Sequence, residues 1–316
     1  MRTTYDPVAI TAAVTGGDVL PSQSPAVPCG PEAIAKAAID AAAAGATAVH
    51  LHAREIDGRP TGSASMFAQI VDQIRSQCDV VINVTTGGSV DMTAADRLQG
   101  VIATRPDIAT LNLGTMNFEG FPTKERWPEV QHQWERDVLA NSGRVVFTNT
   151  LAMMRDFAAT FRDLGVCPEL EVYDLGHLNM ARFLLDEGTL HGPVRIQFVL
   201  GALGGAGNSL HDLFALEQAA QRILGADLAA VSVAAVGYPA QLRMAAVAAA
   251  GGYDIRVGIE DNLRIRRREQ AKDSAELVAA AVGIAAQLER GITTPDQLRA
   301  QLGPWYSTRP TAEAQS

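Results

Sequence analysis

Short β-branched runs alternate with longer Ala- and Leu-rich stretches of helical spacing along almost the whole chain. Parallel strands need a crossover of a dozen or more residues, usually a helix, so this alternation implies repeated β-α-β units around a parallel sheet. The runs that predict strands are Val8–Thr15, Thr47–His52, Val80–Thr85, Ile108–Leu113, Arg144–Thr148, Glu169–Tyr173, Arg195–Leu200, Leu228–Val236 and Arg256–Glu260. Helices are predicted over Pro31–Ala44, Met66–Gln77 and Leu151–Leu164, the first opened by a proline and closed by Gly45, the third closed by Gly165. Nine strands are one too many for an eight-stranded barrel. Arg144–Thr148 is the strand to set aside, because a charged segment with Trp127 and Trp134 (Phe121–Ser142) separates it from Leu113. Met116–Phe118 can pair with Val146–Phe147 as a small hairpin above the barrel mouth. The expected fold is α/β, a (β/α)8 TIM barrel with a small hairpin and helical insertion after strand 4, at about residues 116–149. A doubly wound open sheet is the competing architecture. A chain of 316 residues suits a single barrel domain with additions, ending in a loosely held tail over 306–316.

Charge and composition narrow the function classes. Lys and Arg number 26 against 35 Asp and Glu, a net charge of −9 that repels phosphodiester backbones and argues against nucleic-acid partners. Cys29, Cys78 and Cys167 are scattered and odd in number, so neither a disulfide framework nor a thiolate metal site is expected. The amino terminus has no basic and apolar signal pattern, and no apolar run reaches the ~18 residues of a membrane span. A cytoplasmic protein without membrane partners is expected.

The chemistry centres on His50-Leu51-His52 at the end of the second strand. Residues two apart on a strand share a face, so both imidazoles project together at the strand end where barrels build active sites. Such a pair suits Zn²⁺ or another divalent transition metal; two hydrogen-bonded structural histidines is the alternative. The carboxylate that completes such a site is best supplied by Glu260, in the last strand, where Arg256, Gly258 and Glu260 share a face and Gly258 leaves room for a ligand. An ion pair at a strand end is the alternative, and Asp261-Asn262 can cap a helix beginning near Leu263.

Glycine-rich turns follow three strands, at Thr15–Asp18, Thr85–Ser89 and Gly201–Gly207, and their amides suit a carboxylate or phosphate. Lysine occurs only at 36, 124 and 272, outside every predicted strand, which argues against Schiff-base aldolase chemistry. A carbon–carbon reaction on this barrel therefore calls for a metal to polarise its carbonyl. Glu171 can reach the mouth to meet a cationic or hydroxyl group. His177 is a site residue or a structural histidine. Arg264, Arg266, Arg267 and Arg268 form a basic cluster, either a solvated helix face or a contact for the phosphates of a nucleotide-bearing cosubstrate.

The motifs AVTGGD (Ala13–Asp18), HLHARE (His50–Glu55), INVTTGG (Ile82–Gly88), LNLGTMNF (Leu111–Phe118), ELEVYDLGH (Glu169–His177), QFVLGALGG (Gln197–Gly205) and RVGIEDN (Arg256–Asn262) run in order along the chain. In this set the sequence resembles the β-keto acid cleavage enzymes, whose founding activity is 3-keto-5-aminohexanoate cleavage. The resemblance implies a homotetrameric (β/α)8 barrel holding one Zn²⁺ through His50, His52 and Glu260. It implies a reaction of a β-keto acid with acetyl-CoA to give acetoacetate and a new acyl-CoA. It further implies that Arg256, held by Asp261, serves deprotonation and transition-state positioning. Thr85 and Gly88 match positions that hold the substrate carboxylate, with Thr110 or Asn112 as a neighbouring contact. Asp18 stands where the founding member has a Glu that meets the substrate amino group, and Thr85 replaces a Ser. Asp18 and Glu171 together favour a cationic substrate tail.

Two other readings predict different behaviour. A metal-dependent hydrolase on the same barrel would turn over without acetyl-CoA. A non-catalytic binding module would keep its ligand affinity and metal content when His50 or Glu260 is changed to Ala.

Overall fold

Alternation along each strand decides what the barrel encloses. The computed structural model describes residues 5–89, 92–118, 129–303 and 305. Eight parallel strands close into a barrel: β1 (Ile10–Ala13), β2 (Ala48–Leu51), β3 (Val81–Val84), β4 (Ile108–Asn112), β5 (Cys167–Val172), β6 (Val194–Leu200), β7 (Leu228–Ala235) and β8 (Asp254–Val257). Each pairs with the next in the chain, and β8 returns to pair with β1. Around them run α1 (Pro31–Ala43), α2 (Ala64–Gln77), α3 (Ala94–Thr104), α4 (Leu151–Leu164), α5 (Leu175–Asp186), α6 (Leu210–Leu224), α7 (Ala240–Ala250) and α8 (Ser274–Gln287). The barrel is the fold that the alternation predicts, and the open sheet is excluded by the β8–β1 pairing.

The apolar members of each strand, such as Val49, Leu51, Ile82, Val84, Leu170 and Phe198, are almost fully buried. They form one core with helix faces spaced three and four apart, including Ile34, Ala38 and Ala41 of α1 and Phe67, Ile70 and Ile74 of α2. Burial of each large aliphatic or aromatic side chain contributes about 1.5–3 kcal/mol. The intervening positions are polar: Asn83, Glu169, Arg195, Gln197, Asp254 and Arg256 are all buried. Several pair with one another, as in the Arg195–Asp254 ion pair at 3.1 Å, although Arg195 Nε and Nη1 have no hydrogen-bond partner among the described residues. Local signals set the helix ends. Pro31 opens α1, the Ser63 hydroxyl accepts from the Met66 N–H at the start of α2, and Gly165 closes α4 in the left-handed region at φ +66°.

Between β4 and α4 the predicted hairpin forms, Met116–Phe118 antiparallel to Val145–Phe147, with a helix over Gln133–Asn141. Glu135 of that helix accepts from the Ser22 N–H at 3.0 Å and the Ser22 hydroxyl at 2.7 Å, tying the insertion to the segment after β1. Residues 119–128 and 306–316 lie outside the described part, and with them the first eight residues of the Phe121–Ser142 segment and the expected tail.

Three expectations need correction. The last strand ends at Val257, so Glu260 sits in the turn beyond it rather than on the strand face. The space beside Gly258 is filled by the neighbouring strand, since a Cβ there would lie 2.0 Å from the Ala13 carbonyl oxygen. That contact, at φ +149°, demands glycine and leaves no room for a ligand. The arginine cluster is also not helical. Arg264–Arg266 pairs antiparallel with Glu269–Gln270 as a short hairpin, and α8 begins only at Ser274, capped by Asp273.

Candidate functional site

Strand register delivers the site. His50 pairs with Asn83 across β2 and β3, and Glu171 pairs with Asn112 on one side and Gln197 on the other. His52 follows β2 directly, and its ring lies 5.2 Å from that of His50, edge to face. Both rings meet Glu260: its Oε1 is 3.7 Å from His50 Nε2 and 3.4 Å from His52 Nε2. Gly16, at φ +65°, makes that approach possible, because a Cβ there would fall 2.4 Å from Glu260 Cγ.

Arg256 closes the other side of Glu260. Its Nη2 donates to Glu260 Oε1 at 2.6 Å, and Nε and Nη2 fork onto Asp261 at 3.0 and 3.1 Å. Nη1 donates to Gln197 Oε1 at 3.0 Å and to Glu171 Oε1 at 3.4 Å. Burial opposes charge on this guanidinium, but Asp261, Glu260 and Glu171 outweigh it and hold Arg256 well above its ordinary range. Arg256 is thus a fixed cation. Burial would likewise raise Glu260, yet the Arg256 charge and the two imidazoles keep it well below the usual carboxylate range. Glu171 lacks such compensation: burial pushes it up to about 7, with Arg256 opposing. Asp18 opens onto the cavity but has protein walls around it, and the lost bulk water pushes it up to about 6, with His52 opposing. Burial lowers His50 to about 3, so its imidazole is neutral at physiological pH.

These groups line one cavity of about 870 Å³ at the C-terminal end of the strands. Asp18, His50, His52, Thr85, Gly88, Asn112, Glu171, Arg256, Glu260 and Asp261 all face it, so the structure gathers ten of the eleven residues the sequence singles out. Thr110 is the exception. It is fully buried, and its Oγ1 and carbonyl accept from the N–H and hydroxyl of Thr86, so it braces the loop behind Thr85. Of the two neighbouring contacts expected, Asn112 reaches the cavity, and its buried amide makes no hydrogen bond among the described residues. The Thr85 hydroxyl accepts from the Gly87 N–H at 2.8 Å, which leaves its own hydrogen to donate. His177 is structural, with Nδ1 accepting from the Tyr173 N–H at 3.2 Å.

Sequence reasoning missed Tyr173, whose hydroxyl donates to Glu171 at 3.3 Å, and the roles of Asn83 and Gln197 behind the site. The signal was present: polar residues at alternate positions of otherwise apolar strands. It also missed Arg54, fully buried and donating to the carbonyls of Thr15, Gly16, Val19 and Gly58. Arg54 therefore pins the loop that carries Gly16 and Asp18.

The donor set can be tested against a metal. One ligand atom from each of His50, His52 and Glu260 lies within 4.8 Å of the others. Tetrahedral ligands at ~2.0–2.1 Å from zinc stand roughly 3.4 Å apart, close to the imidazole–carboxylate separations here. Glu260 Oε2 is buried with no hydrogen-bond partner among the described residues. A neutral imidazole pair with one ionised, under-satisfied carboxylate fits a divalent transition metal.

Residues 7–303 match the family model of the beta-keto acid cleavage enzyme. This chain belongs to that family. Among curated members of the family, it is 39% identical over 297 residues to a 3,5-dioxohexanoate:acetyl-CoA acetone transferase of Paraburkholderia graminis, covering 93% of this chain and 95% of the relative. It is 36% identical over 291 residues to a 3-keto-5-aminohexanoate cleavage enzyme of Fusobacterium nucleatum, covering 92% and 95%. Among solved structures, the ternary complex of ObcA with a C4-CoA adduct and oxalate superposes with a TM-score of 0.70 at 20% identity. That likeness covers 89% of this chain and 68% of the other, and it concerns the fold. The family is one of enzymes, and no helix among the described residues is long and apolar enough to cross a membrane.

Proposed function

We propose that this chain condenses a β-keto acid with acetyl-CoA, releasing acetoacetate and a new acyl-CoA, at a divalent metal site formed by His50, His52 and Glu260. The observation that carries the metal assignment is Glu260, set between two imidazoles with one buried oxygen unpartnered. The identities above support the acetyl-CoA-dependent reaction. In it the acetyl group passes from sulfur to carbon and the substrate's acyl group from carbon to sulfur, so atoms balance without water or an oxidant.

A divalent ion held by this triad supplies Lewis-acid stabilisation of negative charge on carbonyl oxygen. The remaining work falls to the chain's own side chains. Thr85 donates its hydroxyl, and Gly88 lies beside it, at the position proposed for the substrate carboxylate. The orphaned Asn112 amide offers a donor and an acceptor to the same substrate. Arg256 and Asp261 act as a pair for proton removal and charge positioning. Asp261 is the member able to accept a proton, because a guanidinium so heavily paired does not give one up. Asp18 and Glu171, which line the same cavity, favour a cationic substrate tail. We take the metal to be Zn²⁺, from the nitrogen and oxygen donor set. We also propose a cytoplasmic location and a homotetrameric assembly; Phe183 on α5 and Phe214 on α6, each about half exposed on adjacent helices, offer apolar surface for a subunit contact.

The test incubates purified protein with acetyl-CoA and a panel of β-keto acids, neutral and cationic, and follows acetoacetate. Turnover that begins only when acetyl-CoA is added, and stops on chelation, is expected. Turnover without acetyl-CoA would overturn the reading in favour of a metal-dependent hydrolase. A His52→Ala variant is expected to lose its metal equivalent, and full retention would refute the ligand assignment.

A further inference from the structure

The cavity is larger than a small keto acid needs, and its two ends differ in charge. The buried end holds Glu171, Glu260 and Asp261 around Arg256, and the exposed end is lined by Arg264 and Arg267 of the short hairpin after β8. Between them the wall is apolar, formed by Met116, Val145, Phe147, Val199 and Leu203, with Leu203 73% exposed at the mouth. A ligand that fills this space carries a reactive group at one end, a weakly polar arm in the middle and anionic charge at the other.

The hairpin is set at a fixed distance from the chemistry. Asn262, next to Asp261, clamps Arg264 from both sides: its Oδ1 accepts from the Arg264 N–H at 3.1 Å and its Nδ2 donates to the Arg264 carbonyl at 2.6 Å. Gln270, on the opposite strand of the hairpin, donates to the Gln23 carbonyl at 3.2 Å. The charges on the hairpin are not equivalent. Arg266 is neutralised by Glu269 at 2.7 Å and does not line the cavity. Arg264, Arg267 and Arg268 have no carboxylate partner among the described residues, and of these Arg264 and Arg267 face the cavity. Two uncompensated guanidiniums aimed into a cleft of a protein with net charge −9 mark a site for a polyanion.

We infer that Arg264 and Arg267 hold the phosphates of the coenzyme A thioester, whose pantetheine arm runs along the Phe147–Leu203 wall to deliver the thioester carbon to the buried end. The inference rests on the acetyl-CoA-dependent reading above and assigns where that cosubstrate binds.

The experiment compares acetyl-CoA with S-acetyl-N-acetylcysteamine, a thioester lacking every phosphate, on wild type, the double variant Arg264→Ala/Arg267→Ala, and Arg268→Ala. Equilibrium dialysis of CoA alone is run on each, and folding is checked by melting temperature. The double variant is expected to lose about tenfold in CoA affinity and about tenfold in its kcat/KM preference for acetyl-CoA over the truncated thioester, with Arg268→Ala unchanged. The charge-reversed pair Arg264→Glu/Arg267→Glu is expected to lose more. An unchanged preference, an equal loss on both thioesters, or a loss confined to the keto acid KM overturns the assignment. If wild type shows no acetyl-CoA-dependent turnover, the reaction assigned above fails, and CoA dialysis alone decides the arginines: binding that the double variant weakens supports them, and absent or unaltered binding refutes them.

Discussion

Asn83 donates its amide to Glu169 at 2.7 Å, and that bond determines which nitrogen of His50 faces the candidate metal site. Glu169 also accepts from Gln197 Nε2 at 3.2 Å, whose own carbonyl is taken by Arg256, so this carboxylate stands as an acceptor between two amides. The Asn83 NH₂ must then face Glu169, which turns its Oδ1 toward His50 Nδ1 at 3.3 Å. An acceptor there places the His50 proton on Nδ1 and leaves the Nε2 lone pair facing Glu260.

The first prediction follows from that relay. Asn83→Ala removes the acceptor and frees both the ring orientation and the tautomer, while the strand keeps its backbone pairing. Metal affinity is expected to fall about 10–100-fold, as it does when a histidine ligand loses its outer partner. Competition with a chelating dye measures it directly. Affinity equal to wild type would show that the amide does not set the imidazole.

Gly16 supplies the second. In Gly16→Ala the new Cβ would lie 2.4 Å from Glu260 Cγ at a positive φ, so the carboxylate has to move away from the imidazoles. Metal binding is expected to weaken about tenfold or more while the barrel stays folded. Gly283 is the control: it is exposed within α8, and a Cβ there meets nothing within 4 Å. Gly283→Ala is expected to raise stability by about 0.5–1 kcal/mol, measured by urea unfolding, with metal affinity unaltered. Equal behaviour of the two variants would remove Glu260 from the site.

Much of this architecture is legible in the sequence, because strand period and glycine turns act locally. His50 and His52 are two residues apart, and the pleat alone brings them together. Glu260 is harder, since its place depends on the backbone turning at Gly258, where Ala13 of another strand fills the space. The Arg264–Arg268 run has helix-forming residues and folds instead as a hairpin, because Asn262 holds both backbone groups of Arg264 in a turn. Arg54 looks like a loop charge; only the fold shows four carbonyl oxygens closing around it. Contacts made by one side chain across several distant segments leave no periodic trace.

Glu171 gives the third prediction, on pH. Burial lifts its pKa from 4.5 to about 7 in the folded chain, while the unfolded chain retains the ordinary value. Between those values the folded state binds more protons than the unfolded one, so this group makes stability fall as pH rises through that window. The loss is complete above about pH 7 and amounts to about 3 kcal/mol at 1.36 kcal/mol per pKa unit. Glu171→Gln keeps the Tyr173 contact and removes the charge. In metal-free protein it is expected to flatten the decline between pH 5 and 8, leaving the variant more stable than wild type at pH 8 and similar to it at pH 5. Urea unfolding across that range reads the slope. An unchanged slope in Glu171→Gln would mean that Glu171 is already ionised through its contact with Arg256.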